Sequence, residues 1–166
     1  MTDAKEDLNS VNRNFGQGLV SDRDVIETAQ ELGRGIREFA KQLAELLHVR
    51  IDKILDALNL ARLAEIMDMK IENGEIIGLR IKLPSESKPN VYYYTMVGIY
   101  GSKCTCEANT LRKKLCKHII AALMLWNIIT LFRTGKQLDL SKIKWLQEYA
   151  ESKRSEGSIR GNSQDI

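Results

Sequence analysis

The stretch VYYYTMVGIYGSKCTCEANTLRKKLCKHIIAALMLWNIITLFRT, residues 91–134, decides how this chain folds. It opens with Val91–Tyr100, a run rich in β-branched and aromatic residues that reads as a strand. It closes with Leu115–Arg133, apolar on nearly every side, which reads as a helix that must be buried. Thr134-Gly135 then ends the helix. Between strand and helix lie all three cysteines, Cys104, Cys106 and Cys116, with His118 two positions after the last. A disulfide framework wants an even count. An odd, clustered set suits metal binding in a reducing compartment.

Cys104-Thr105-Cys106, nine residues, then Cys116-Lys117-His118 is a four-ligand set of zinc type. Residues i and i+2 of an extended segment point to one side, so one strand end can present two thiolates to one ion. Cys116 and His118 fall where the helix begins, and there the unpaired N–H groups and the helix dipole favour thiolate over thiol. Thiolates at about 2.3 Å and an imidazole at about 2.0 Å complete a tetrahedron with no open position, so the zinc is structural. Three thiolates and one dication leave one net negative charge. Lys103, Arg112, Lys113, Lys114 and Lys117 lie close in sequence and are the candidate nucleic-acid-binding residues. Two readings of them stand: contact with phosphates, or neutralisation of the cluster.

Entered from a strand and left on a helix reading Cys116-Lys117-His118-Ile119-Ile120-Ala121-Ala122-Leu123, this Cys-x-Cys…Cys-x-His set resembles the SWIM zinc finger. The resemblance covers roughly residues 91–130 and implies a ββα zinc-binding module walled by Val91–Tyr100 and Leu115–Arg133. Ala121, three residues after the histidine, is similar to the pattern of SWIM proteins that partner recombinase paralogues in homologous recombination. The wider family implies DNA binding or protein–protein contacts, with no catalysis by the finger itself. Residues 1–90 carry no part of the resemblance.

Working outward, Ile77, Leu79, Ile81 and Leu83 alternate with polar or small residues, as in a strand with one buried face. Asn73-Gly74 before them is a type I′ hairpin signal. About three antiparallel strands are expected to lead into the cysteines. Further upstream, Val25, Ala29, Leu32, Ile36, Phe39, Leu43 and Leu46 form a heptad seam on a helix over Asp22–Leu47, capped by Ser21. Gly33 and Gly35 sit off that seam and weaken the helix. A second helix carries Ile51, Ile54, Leu55 and Leu58 and runs to about Met67. The seam is read as core packing, with a partner's helix as the other option. Beyond the zinc helix, Ser141 caps a short helix bearing Ile143, Trp145, Leu146 and Tyr149. The fold class is therefore α+β: an N-terminal helical arm or hairpin, a small antiparallel sheet, the zinc-binding module with its buried helix, and a short C-terminal helix. The expected divisions are a flexible arm at 1–20, a helical region at 21–68, the zinc-binding β/α module at 69–151 and a flexible tail at 152–166.

The formal net charge is +3, but it is unevenly placed. Residues 1–72 carry ten Lys/Arg against fourteen Asp/Glu, whereas residues 73–166 carry fifteen against eight. A basic carboxyl-terminal portion points to nucleic acid or another acidic surface. The acidic start MTDAKEDLNS resembles no secretory or transit signal. The longest apolar run, Ile119–Phe132, is shorter than the roughly 20 residues of a membrane span. The expected location is cytoplasmic, extending to a nucleoid or nucleus.

Tyr92, Tyr94 and Tyr100 share one face and offer stacking for bases, although half-packed strand residues are the reading preferred for them. His48, near a helix C-terminus, is read as structural. Motifs of enzymes are missing: neither His-x-Glu with Pro-Cys-x-x-Cys nor His-Glu-x-x-His occurs. Gly16-x-Gly18 and Gly33-x-Gly35 follow no strand and lack the lysine of a phosphate loop. The expectation is a non-enzymatic, zinc-dependent, nucleic-acid-associated protein that contacts DNA or RNA and docks a protein partner. It would serve as a recombination or repair accessory, with a recombinase paralogue as partner, or as a ribonucleoprotein or ribosome-bound component. No membrane and no small-molecule substrate are expected. The alternative is a protein–protein adaptor with structural zinc and no nucleic-acid contact, using the seam and Ile119–Phe132 as interfaces.

Overall fold

The computed structural model describes residues 21–110 and 115–164, the side chains of 156–164 excepted. The chain divides into two units at the Arg34–Gly35 step, inside the first helix, α1 (Asp22–Leu47). The amino-terminal unit holds the start of α1. Its first turn is closed by a reciprocal capping box: Ser21 Oγ accepts from the Asp24 N–H at 3.2 Å, and the Ser21 N–H donates to Asp24 Oδ2 at 3.0 Å. Donation from the Ser21 N–H and then from its hydroxyl holds the Asp24 carboxyl below its ordinary range.

The second unit starts where the seam becomes core. Phe39, Ala40, Leu43, Ala44 and Leu47 are buried, whereas Val25 is 56% exposed. The seam thus packs only in its later turns, on a face widened by Ala40, Ala44 and Leu47. Gly35 has a packing reason besides its cost to the helix. A Cβ there would lie 2.8 Å from a Leu131 methyl, so its bareness lets two helices approach. His48 ends α1 with a positive φ of 54°, and the Val49 N–H donates back to the Ala44 carbonyl, which is a structural role.

Helix α2 (Ile51–Ala61) stops six residues earlier than expected. Its buried face is Ile54, Ala57, Leu60 and Ala61, and Ile51 and Leu55 turn outward. The end of that stretch, Glu65–Met67, instead opens β1 (Glu65–Glu72). Short apolar runs such as Ile66-Met67 carry no decisive period, and pairing with the next strand decides their state. Four strands follow one another in the sheet, one more than expected: β1, β2 (Glu75–Pro84), β3 (Tyr92–Gly98) and β4 (Ser102–Cys104), all antiparallel. Asn73 and Gly74, both at positive φ (52° and 79°), make the type I′ turn between β1 and β2.

One sheet face is buried. Leu79, Ile81 and Leu83 of β2, Thr95 and Val97 of β3 and Cys104 of β4 are all 0–1% exposed. Against them lies α4 (Lys117–Thr134), which follows the single turn α3 (Glu107–Thr110). Residues Ile119–Met124 of α4 are buried almost all round, as the sequence requires. Trp126 anchors the helix to the sheet by donating from Nε1 to the Ile76 carbonyl at 3.0 Å. Gly135, at φ 73°, ends α4 with its N–H on the Leu131 carbonyl. Among the described residues no helix is long and apolar enough to cross a membrane.

Ser141 does not cap the last helix but lies in a 3-10 turn, Leu140–Lys142, that precedes it, and Asp139 caps that turn by accepting from the Ser141 N–H and hydroxyl. Helix α5 follows over Lys144–Gln164. Packing of Ile143, Leu146 and Ala150 supplies the nucleus, and propagation through polar residues then adds one bond per residue.

Candidate metal centre

Cys104 is the last residue of β4, and its side chain faces the buried side of the sheet beside Thr95, its cross-strand partner. The chain then turns, so that Cys106 comes round to the same point just ahead of α3. Local bonds fix this turn: the Cys104 N–H donates to Asn109 Oδ1 at 2.9 Å, and the Thr110 N–H and hydroxyl both donate to the Cys106 carbonyl at 2.9 Å. Cys116 is the N-cap of α4 and His118 lies in its first turn. The Cys116 side chain makes no capping bond, so its sulfur is left to the cluster.

One ligand atom from each of Cys104, Cys106, Cys116 and His118 lies within 4.8 Å of all the others, and all four residues are 0–5% exposed. No other group of three or more potential ligands occurs among the described residues. His118 Nδ1 is buried without a hydrogen-bond partner, an arrangement that is costly unless something other than the protein's own polar groups satisfies it. Its ring packs against Tyr93, with centroids 5.0 Å apart.

The sulfurs perturb one another strongly. The Cys116 thiol, donating to Cys104, pulls the Cys104 pKa far below the thiol range, with smaller help from His118 and Thr95 and with burial opposing. The same bond and then burial push Cys116 up, against the Ile119 N–H. Burial first of all raises Cys106. A cation bound by all three sulfurs would displace their protons, so its affinity should fall as pH falls. Three sulfurs and one imidazole, convergent and shielded from water, fit a closed tetrahedral zinc site. Zinc held there supplies a crosslink between the end of the sheet and the start of α4.

Thr95 is a partner that spacing alone does not reveal; only the β3–β4 register brings it to the cluster. Its hydroxyl donates to Cys104 Sγ at 3.3 Å in a fully buried position. Thr95→Val keeps the shape and removes the donor, and zinc affinity should fall by about 10-fold or more in a chelator competition.

The five basic candidates are treated unevenly. Arg112, Lys113 and Lys114 lie outside the described residues. Lys103 is exposed on β4, on the sheet face opposite Cys104. Lys117 pairs with Glu86, Nζ to Oε2 at 2.7 Å, and both side chains are about half exposed. Of the tyrosines, Tyr92 and Tyr94 share the outer face of β3, whereas Tyr100 lies past the strand end and is 82% exposed.

Residues 88–127 match the family model described as SWIM zinc finger. No curated protein and no solved structure matches the chain. The match takes in β3, β4, all four ligands and the first turns of α4. Over residues 88–127 the chain is therefore similar to the SWIM zinc finger, and that segment brings Cys104, Cys106, Cys116 and His118 together as a candidate metal site.

Proposed function

We propose that the protein is a non-enzymatic, nucleic-acid-associated binding module whose zinc fixes the sheet-to-helix junction. One observation carries the reading. Five basic residues and one acidic residue, Glu107, fall in the sequence from Lys103 to His118 that also holds the four candidate ligands, whose residual charge with zinc needs only one of them. The excess suits phosphate contact. The two settings proposed are a recombination or repair accessory and a ribonucleoprotein component, both in the cytoplasm or a nucleic-acid compartment. Preference for DNA over structured RNA, or the reverse, separates them.

Phosphate contact predicts steep salt dependence. With Lys103, Arg112, Lys113 and Lys114 each displacing a counterion from a DNA duplex, affinity should fall about 100-fold between about 50 and 200 mM salt. Fluorescence anisotropy with labelled duplex DNA and stem–loop RNA reads this directly. Salt-insensitive binding would remove phosphate contact from the account.

A protein-contact role is the second reading, and β1 favours it. All eight of its residues are exposed, Ile66, Met67, Met69 and Ile71 among them. Of the interfaces first expected, Phe39, Leu43 and most of Ile119–Phe132 are buried in the chain's own core, whereas the early seam at Val25 stays exposed. Light scattering tests for self-association through β1.

A further inference from the structure

We infer that the outer face of the sheet binds single-stranded nucleic acid, with Tyr94 and Tyr92 stacking on bases and Arg80, Lys82 and Lys103 meeting phosphates. The inference rests on the nucleic-acid reading above and gives it a surface and a substrate class. Strand register places these side chains together. Ile81, Thr95 and Cys104 form one cross-strand row facing the core, so the neighbouring rows face out. Arg80, Met96 and Lys103 make one such row, and Lys82 with Tyr94 makes the next. Pro84 and Tyr92 make a third.

The outward tyrosines are not packed under another element: Tyr92 is 48% exposed, Tyr94 46% and Met96 48%. Strand geometry sets Tyr92 and Tyr94 about 7 Å apart on one face, a ladder for successive unpaired bases. Every base has a π-face, so such a platform tolerates any sequence. The charge is complementary to a phosphate backbone along β2 to β4. Lys82 Nζ already sits 4.3 Å from the Tyr92 ring centroid, so a cation covers one face of Tyr92, and Tyr94 is the ring chosen for the test. Acidic residues bound the patch on one side: Glu65 and Asp68 of β1 stand opposite Lys82 and Arg80. A strand is therefore steered along β3 and β4 and away from β1. Duplexes keep their bases stacked and cannot use the rings, so single strands are the favoured ligand.

This face lies across the sheet from the zinc, which makes the test separable from folding. The zinc-loaded chain is titrated into labelled oligothymidylate, oligouridylate and a duplex at fixed salt, with zinc content and melting measured on every variant. Tyr94→Ala should weaken single-strand binding by roughly 5- to 100-fold. It should leave duplex binding, zinc content and melting close to wild type, and Tyr94→Phe, which keeps the ring, should retain wild-type affinity. Undiminished single-strand binding by Tyr94→Ala, or an equal loss for duplex and single strand, would overturn the inference. Wild-type binding to duplex alone would overturn it and leave the broader function standing. Binding to none of the three would overturn both.

Discussion

Cys116→Ser is expected to lose zinc and to melt the zinc-bearing unit at temperatures where the wild type is folded. Serine is a good N-cap, so at this position the substitution should by itself favour α4. Any loss must then come from the missing thiolate. Structural zinc contributes on the order of 10 kcal/mol to folding, comparable to the whole stability of an ordinary domain. The effect should spread beyond the finger, because the helix that Cys116 starts supplies Ile119, Leu123 and Trp126 to the core. Metal analysis and thermal circular dichroism on the same samples check this. A serine variant with the zinc content and melting temperature of the wild type would refute it.

Trp126→Ala should produce the next largest loss. Trp126 is fully buried, and emptying a site of that size costs about 3–5 kcal/mol. Its Nε1–H also satisfies the Ile76 carbonyl, and a buried acceptor left unpaired adds about 1–3 kcal/mol. Together these approach the margin by which a domain is stable, so the variant should be largely unfolded under mild denaturant. Trp126→Phe separates the two effects by keeping most of the apolar volume and losing the donor. It should cost less, and it should keep its zinc, because the four ligands lie at the other end of α4 or beyond it. Urea unfolding followed by circular dichroism measures both, and equal stabilities for the two variants would contradict the argument.

What the sequence made legible was local chemistry. Asn73-Gly74 specifies its turn because both positions need positive φ. The cysteines and His118 converge as their spacing implies, with a donor set of zinc type. The apolar run after Cys116 could only be an interior helix. What stayed hidden depends on residues distant in sequence. Ile66, Met67 and Met69 suit a helix or a strand equally, and only pairing with β2 settles them. Gly35 reads as a flaw until Leu131 is brought against it. Thr95 reads as an ordinary strand residue until the register sets it on Cys104. That α5 runs on to Gln164 is not legible from polar composition, which describes a segment alone and not one propagated from a packed turn.

X-ray absorption at the zinc edge of the purified chain reads the proposed centre itself. One zinc per chain is expected, bound by three sulfurs at about 2.3 Å and one nitrogen at about 2.0 Å, with no water ligand. A shell of oxygen and nitrogen alone, or protein purified without zinc and unable to take it up, would contradict it.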